Sequence, residues 1–414
     1  MSAPSPAAAP PRLLSLDALR GFDMFWIMGG DGLARALQAL GAGDSAGGGP
    51  AWLQAVARQL EHVAWAGFRF YDLIFPLFVF IAGVSLVFSL GRLREREGRP
   101  AAARRLLVRS LLLFGVALLY SGGFSQPWPD IRLLGVLNRI ALCYAAAGLL
   151  FLFLRPRGLA AAAAVLLAGY WALMTFVPYP DLRPVDAAGR LRDPGLQMTN
   201  VTRVAELNWA TTNTLRGVQG PGLNLANYVD ARYLPGKKWD GTWDPEGLLS
   251  TLPAIGTCLL GVLAGILLSQ AGTPDGRKVA WLAAAGGAAL VAGYGWGLSF
   301  PVVKKIWTSS FVLVAAGWSA LLLAIFHHVI EVRQWRGWCQ PFVWYGSNAI
   351  TVYLADNLLN FRRVATRFLG GDVQVFFDTH VARGFGDLML AAGEIGVGLA
   401  LVWFLYRRRL FLRL

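Results

Sequence analysis

The sequence has few cysteines and little charge. Its 414 residues include three cysteines, and 15% of the chain is charged while 56% is hydrophobic. Cys143, Cys258 and Cys339 are too few and too far apart for a disulfide framework or a zinc site. A water-soluble globule has a lower apolar share and a charged share of about a quarter. The composition therefore excludes a soluble globule and predicts a polytopic membrane protein.

The sequence also lacks a Gly-rich phosphate loop and a nucleic-acid-binding pattern. Its net charge is +14, but the arginines lie in short loops between apolar runs, where they orient helices in a bilayer. We expect a lipid bilayer and no nucleic acid as partner. Residues 1–11 have no basic n-region and no apolar core, so they are predicted to be a disordered tail before one transmembrane domain, 12–414.

Ten apolar runs, each close to the ~20 residues that cross a hydrocarbon core, predict an all-α membrane helix bundle. With a cytoplasmic amino terminus every inside loop is basic, so both termini are predicted to be cytoplasmic. A long segment, 178–248, then lies on the periplasmic side, and a loop of that length usually carries function. The runs cover residues 14–33, 70–90, 106–124, 136–154, 159–177, 249–269, 279–299, 311–331, 342–361 and 386–406.

Five sequence blocks occur in one order from Arg12 to the carboxyl terminus. They are Ser15–Gly21, His62 with Asp72–Gly83, Asp244–Leu249, Pro301–Trp307 and Gly346–Tyr353. As a set they resemble the heparan-α-glucosaminide N-acetyltransferase family of transmembrane acyltransferases, in its bacterial branch. Each block alone is a weak signal, and the common order makes the set specific.

The resemblance implies an enzyme of the bacterial inner membrane that is dependent on acetyl-CoA. It would move an acetyl group from cytosolic acetyl-CoA, a co-substrate, to the amine of a glucosamine-type sugar on the periplasmic side. The resemblance also implies a homodimer, and we expect no metal. The family's histidine matches His62, whereas the family's asparagine at the outer end of the first shared span falls on Asp31.

Histidine chemistry suits this reaction. Attack on a thioester needs a neutral amine, and an imidazole with a pKa of about 6.5 can remove the proton near neutral pH. His62 could instead attack the thioester and pass on the acetyl group, and both routes stay open. Asp31 could orient the imidazole or be a solvated helix-end carboxylate. Asp72 opens the second span, where the helix dipole alone stabilises a carboxylate, although its closeness to His62 favours a site role.

Further candidates lie on the outer side. Asp244 and Glu246 flank a proline before a span, a pattern typical of a helix start with acid in the first turn. Glu246 could in addition bind an ammonium or sugar hydroxyls. Lys304 gains nothing from the positive-inside rule, so it indicates either an anionic ligand or a surface role. Trp307 suits stacking on a sugar, although tryptophan also collects at membrane interfaces.

On the inner side, Arg20, Tyr345 and Asn348 could line a cleft for the CoA arm. Basic loop residues could meet its phosphates, because guanidinium binds phosphate bidentately; these are Arg277, Lys278, Arg333 and Arg336. One alternative is a secondary transporter for sugars or amino sugars, in which intramembrane carboxylates couple ions; these are Asp23, Asp31, Asp356 and Glu394. Another alternative is an O-acetyltransferase that acts on an envelope glycan.

Overall fold

The computed structural model describes residues 13–42, 50–192, 195, 198 and 200–411, and the predicted tail 1–11 lies outside them. The described chain is mostly helical. Its helices are α1 Leu14–Ala42, α2 Ala51–Gln59, α3 Phe70–Tyr120, α4 Val136–Phe153, α5 Pro156–Phe176, α6 Leu225–Tyr233, α7 Thr251–Ser269, α8 Asp275–Gly297, α9 Ser309–His327, α10 Gln340–Ser347, α11 Ala349–Leu359, α12 Phe361–Leu369, α13 Asp372–His380 and α14 Phe385–Arg407.

Within the described residues, seven helices are long and apolar enough to cross a membrane. This confirms the predicted all-α membrane bundle. Four of the ten predicted spans account for the difference in number. Two of them share the single helix α3, and one is broken between α10 and α11. The first lies in α1, whose five ionisable residues lower its hydropathy.

Helix α3 contains two predicted spans and turns between them at Gly98. The φ of Gly98 is 82°, a left-handed conformation that glycine adopts without steric cost. In the second half, Leu106 packs against Gly148, and the Asn138 amide donates to the carbonyl of Phe114 at 3.3 Å. The second half of α3 therefore runs antiparallel to α4.

The first half of α3 packs closely along α7. A Cβ on Gly83 would lie 2.1 Å from the Cys258 carbonyl oxygen, and one on Gly261 would lie 2.0 Å from that of Phe80. The two backbones can approach this closely only because both positions are glycine. This contact holds α3 in the centre of the bundle.

The predicted span 342–361 is interrupted at Asn348, whose φ of −128° and ψ of 28° separate α10 from α11. The prediction of one continuous helix there is wrong. Helix α10 lies directly against α1, since a Cβ on Gly346 would be 1.9 Å from the Asp17 carbonyl oxygen. Asp17 and Asp23 of α1 are buried, as expected for a helix that faces the bundle interior.

The predicted outer segment, 178–248, folds onto one end of the bundle. It begins with strand β1 (Tyr179–Pro180), which pairs antiparallel with β2 (Thr214–Leu215), and it includes α6. Its own apolar cluster is formed by Leu182, Met198, Leu207, Leu223 and Ala231. The segment is therefore a packed layer above the helices.

Candidate functional site

His62 lies in the non-helical connection between α2 and α3. The amide of Gly67 donates to the Val302 carbonyl at 2.8 Å, and Ala66 forms a β-bridge with Val303. Gly67 has a φ of 127°, which favours glycine at this turn. These backbone contacts bring Lys304, the residue after Val303, beside His62.

Asp72 forms the closest polar contact of the imidazole. His62 Nδ1 and Asp72 Oδ1 are 2.9 Å apart, and the side chains are 52% and 1% exposed. Asp72 Oδ2 accepts the amides of Val63 (3.3 Å) and Arg69 (3.1 Å). Because a carboxylate can only accept, Nδ1 carries the hydrogen of this bond and Nε2 keeps its lone pair. In the sequence His62 precedes this span by a few residues and Asp72 opens it, and in the structure the two side chains are in contact.

Lys304 completes a compact polar group with this pair. Its Nζ lies 3.0 Å from His62 Nδ1, 3.2 Å from Nε2 and 3.7 Å from Asp72 Oδ1. Nearly equal distances to both ring nitrogens place the amine beside the ring rather than along one lone pair. Burial lowers the pKa of Lys304 to about 8, and the Asp72 carboxylate opposes that shift. The amine therefore changes charge close to physiological pH.

Tyr71 connects the imidazole to Asp31. The rings of Tyr71 and His62 stack with centroids 4.8 Å apart and 27° between their planes. The Tyr71 hydroxyl lies close enough to the exposed Asp31 carboxylate to interact with its charge. Asp31 thus reaches His62 through a tyrosine, and Asp72 is the carboxylate in direct contact. Sequence reasoning missed Tyr71, although its position next to Asp72 in the first turn of α3 was a usable signal.

Asp244 and Glu246 lie in ion pairs with Arg132. Arg132 contacts the two Asp244 oxygens at 2.7 and 2.8 Å and Glu246 at 2.6 Å. Helix α7 begins only at Thr251 and has no acid in its first turn, so the predicted helix start at Asp244 is wrong. Burial raises the pKa of Glu246, and Arg139 and Arg132 oppose that shift.

A buried aspartate supports the same ion pairs from α6. Asp230 accepts the amide of Leu248 at 2.8 Å and that of Asp244 at 3.3 Å. Burial raises the pKa of Asp230 to about 7. These ion pairs and hydrogen bonds attach the outer segment to the bundle. Asp244, Glu246 and Asp230 each have a partner within the protein.

Trp307 is 1% exposed and lies in the bundle core. Its indole N–H donates to Thr257 at 3.1 Å, and its ring meets the ring of Phe75 at 5.0 Å. The guanidinium of Arg139 lies 5.0 Å from the same ring. Protein groups cover this indole, so the stacking role expected from the sequence is not open to it in this structure.

The candidates for the donor lie deeper in the bundle. Arg20 donates to the Gly346 carbonyl at 3.3 Å and also contacts Asp17 and Ser85. Ser85 follows Asp72 by thirteen residues on α3, which is about 20 Å along the helix axis. Arg20 contacts Ser85, so it lies about 20 Å from Asp72 along that axis.

Tyr345 and Asn348 are both buried near Arg20, at the end of α10. The Tyr345 hydroxyl donates to the Ile395 carbonyl at 3.1 Å. The side-chain amide of Asn348 has no hydrogen-bond partner among the described residues. Three of the four basic loop candidates have local partners: Lys278 pairs with Asp275, Arg336 with Glu331, and Arg333 contacts His328.

Comparison with known proteins supports the resemblance found in the sequence. Residues 51–190, which include His62 and Asp72, match the family model described as "Heparan-alpha-glucosaminide N-acetyltransferase, catalytic". The human heparan-alpha-glucosaminide N-acetyltransferase is 27% identical over 389 residues, which are 85% of this chain and 54% of that protein. The mouse protein is 26% identical over 363 residues, 76% of this chain and 50% of its own length. The chain thus spans about half the length of the curated relatives it matches. On these matches, the chain is similar to the heparan-alpha-glucosaminide N-acetyltransferases, and its residues 51–190 match the model of their catalytic region.

Proposed function

We propose that this protein transfers an acetyl group from acetyl-CoA to the amine of a glucosamine-type sugar. In this proposal the donor enters from the cytoplasm of a bacterial cell and the acceptor from the periplasm. The observation that carries it is the 2.9 Å contact between the half-exposed His62 and the buried Asp72. The names of the matched relatives supply the reaction class.

The His62–Asp72 pair supplies a positioned base. Asp72 holds the Nδ1 hydrogen, so Nε2 faces the reactants as an acceptor. As the amine nitrogen bonds to the thioester carbon, Nε2 takes the amine proton; the C–S bond then breaks, and the CoA thiolate receives that proton. The same Nε2 can instead attack the thioester carbon, release the thiolate and pass the acetyl group to the amine. Both routes use the same pair.

Lys304 would contact the thioester of the donor, and Asp31 would contact the amino group of the acceptor. The Lys304 ammonium, about 3 Å from the ring nitrogens, is close enough to donate to the carbonyl oxygen as negative charge develops there. Asp31 is an exposed carboxylate linked to the imidazole by Tyr71, which suits the ammonium form of an amino sugar. Asp244, Glu246 and Trp307 are occupied by protein contacts and are left out of this assignment.

The donor arm fits the distance between His62 and Arg20. An extended pantetheine arm spans about 17 Å from diphosphate to sulfur, given ordinary bond lengths. Arg20 lies about 20 Å from the level of Asp72, so phosphates near Arg20 would bring the sulfur close to His62. The unpartnered side-chain amide of Asn348 would suit the amides of that arm.

Labelled acetyl-CoA and glucosamine, given to the purified protein in detergent, test the proposal. An acetylated sugar formed without any membrane gradient supports the enzyme, whereas a transporter gives no product. An O-acetyltransferase would yield an ester that is labile to mild base, unlike an amide. His62→Ala should abolish the product, and retained turnover would refute the assignment. His380→Ala is the matched control, since among the described residues the His380 ring hydrogen-bonds only within its own helix, to Phe376 and Thr379.

A further inference from the structure

A cavity of about 500 Å³ lies at the end of the bundle opposite His62. It opens where the first half of α3 ends, beside the turn from α4 to α5 and the end of α7. Four arginines line it with one carboxylate, Glu95; the arginines are Arg92, Arg94, Arg99 and Arg155. The cavity therefore has a strongly positive lining.

Within the described chain, none of these four arginines forms an ion pair with a carboxylate. Arg92 donates to its own helix at the Phe88 carbonyl (2.8 Å), and Arg94 lies over the ring of Phe151 at 5.5 Å. Helix α5 begins beside Arg155 without a side-chain cap, and its dipole adds positive potential there. An anion in the cavity would balance this charge.

The length of α3 decides which anion fits. Arg92 follows Asp72 by twenty residues on one continuous half-helix, so the two are about 30 Å apart along the axis. An acetyl-CoA whose phosphates lay in the cavity could not bring its sulfur to His62, because its arm spans about 17 Å. A separation of about 30 Å equals the thickness of the hydrocarbon core. The cavity therefore lies at the level of the lipid headgroups of the opposite interface.

We propose that this cavity binds the phosphate headgroup of an anionic phospholipid. Guanidinium groups bind phosphate oxygens bidentately, and basic pockets between transmembrane helices on the cytoplasmic side hold anionic lipid headgroups. The exclusion of acetyl-CoA as the occupant rests on the reaction proposed for His62, whereas the positive lining of the cavity is independent of that reaction.

Native mass spectrometry of the full-length protein with phosphatidylglycerol or phosphatidylcholine of equal chain length tests this inference. The wild type should bind phosphatidylglycerol more tightly. Removing Arg92 and Arg155 (Arg92→Gln, Arg155→Gln) should weaken that binding by about fivefold for each arginine and leave phosphatidylcholine unchanged. The matched control is Arg157→Gln, which removes an arginine of the same turn that does not line the cavity and should keep wild-type affinity.

A second variant fills the cavity and keeps every arginine. A Cβ on Gly91 meets no atom within 4 Å, so Gly91→Met places its side chain in the cavity without a clash at its base. Methionine also favours the helix over glycine, so thermal stability should not fall. This variant should weaken phosphatidylglycerol binding. Equal affinity for both lipids, unchanged binding in these variants, or displacement of the lipid by adenosine 3′,5′-bisphosphate would overturn the inference.

Discussion

Replacing Asp72 by asparagine tests the orientation of the imidazole. Asp72 Oδ2 accepts two backbone amides, of Val63 and Arg69, and only an oxygen can take that position. The asparagine oxygen must therefore face those amides, and its NH₂ group must face His62 Nδ1. Nδ1 then becomes the acceptor, the hydrogen moves to Nε2, and the base is lost from the side of the reactants.

The expected loss is the contribution of a general base. Such a base supplies about 10²- to 10⁴-fold in rate, so kcat of Asp72→Asn should fall within that range while acetyl-CoA binding persists. The exchange also replaces charge-assisted hydrogen bonds by neutral ones, at a cost of about 1–2 kcal/mol in stability.

Initial rates with labelled acetyl-CoA, together with thermal unfolding of the same samples, measure both effects. The control is Asp387→Asn, since Asp387 also lies in the first turn of a helix and pairs with Arg362 at 3.9 Å rather than with a histidine. A folded Asp72→Asn protein with kcat within threefold of wild type would refute the reasoning.

Three further outcomes are expected. The rate should fall above pH 8, because the Lys304 ammonium loses its proton near a pKa of about 8, and Lys304→Met should lower kcat and remove that fall. Arg132→Gln should lower the free energy of unfolding by about 3 kcal/mol, because it leaves Asp244 and Glu246 buried without their cation. Gly21→Ala should lower the melting temperature, because its Cβ would lie 1.6 Å from a backbone oxygen of α10.

Each of these outcomes has a control in the same chain. A pH–rate profile that is the same in Lys304→Met and wild type would contradict the role of the ammonium. Arg190→Gln removes an exposed ion pair with Asp186 and should change stability by less than about 1 kcal/mol. Gly287→Ala adds a Cβ that meets nothing within 4 Å, so its melting temperature should stay close to wild type. Equal losses in Gly287→Ala and Gly21→Ala would contradict the packing argument.

Lys304 shows why only part of the site could be predicted from the sequence. His62 and Asp72 are ten residues apart at the start of a span, so their closeness follows from local order. The contact between Lys304 and His62 joins positions 242 residues apart and depends on the backbone bond between Gly67 and Val302. No periodicity or motif encodes that bond.

The same limit explains two errors about helices. The apolar run 342–361 continues through Asn348, so hydropathy predicts one helix, whereas the packing of α10 on α1 accompanies a break there. Asp244 and Glu246 have the pattern of a helix start, but Arg132, more than a hundred residues earlier, binds both carboxylates and keeps them in the outer layer. Tertiary contacts outweighed local propensity in this second case.

The backbone hydrogen bond between Gly67 and Val302 has a consequence for biosynthesis. A nascent chain that has inserted α3 already carries the imidazole and its carboxylate, but the amine emerges 242 residues later. Until the connection between α8 and α9 docks, the outer surface therefore holds an incomplete reaction centre. In the proposed reaction, a bundle that is still assembling would lack the ammonium group of Lys304 and so could not complete acetyl transfer.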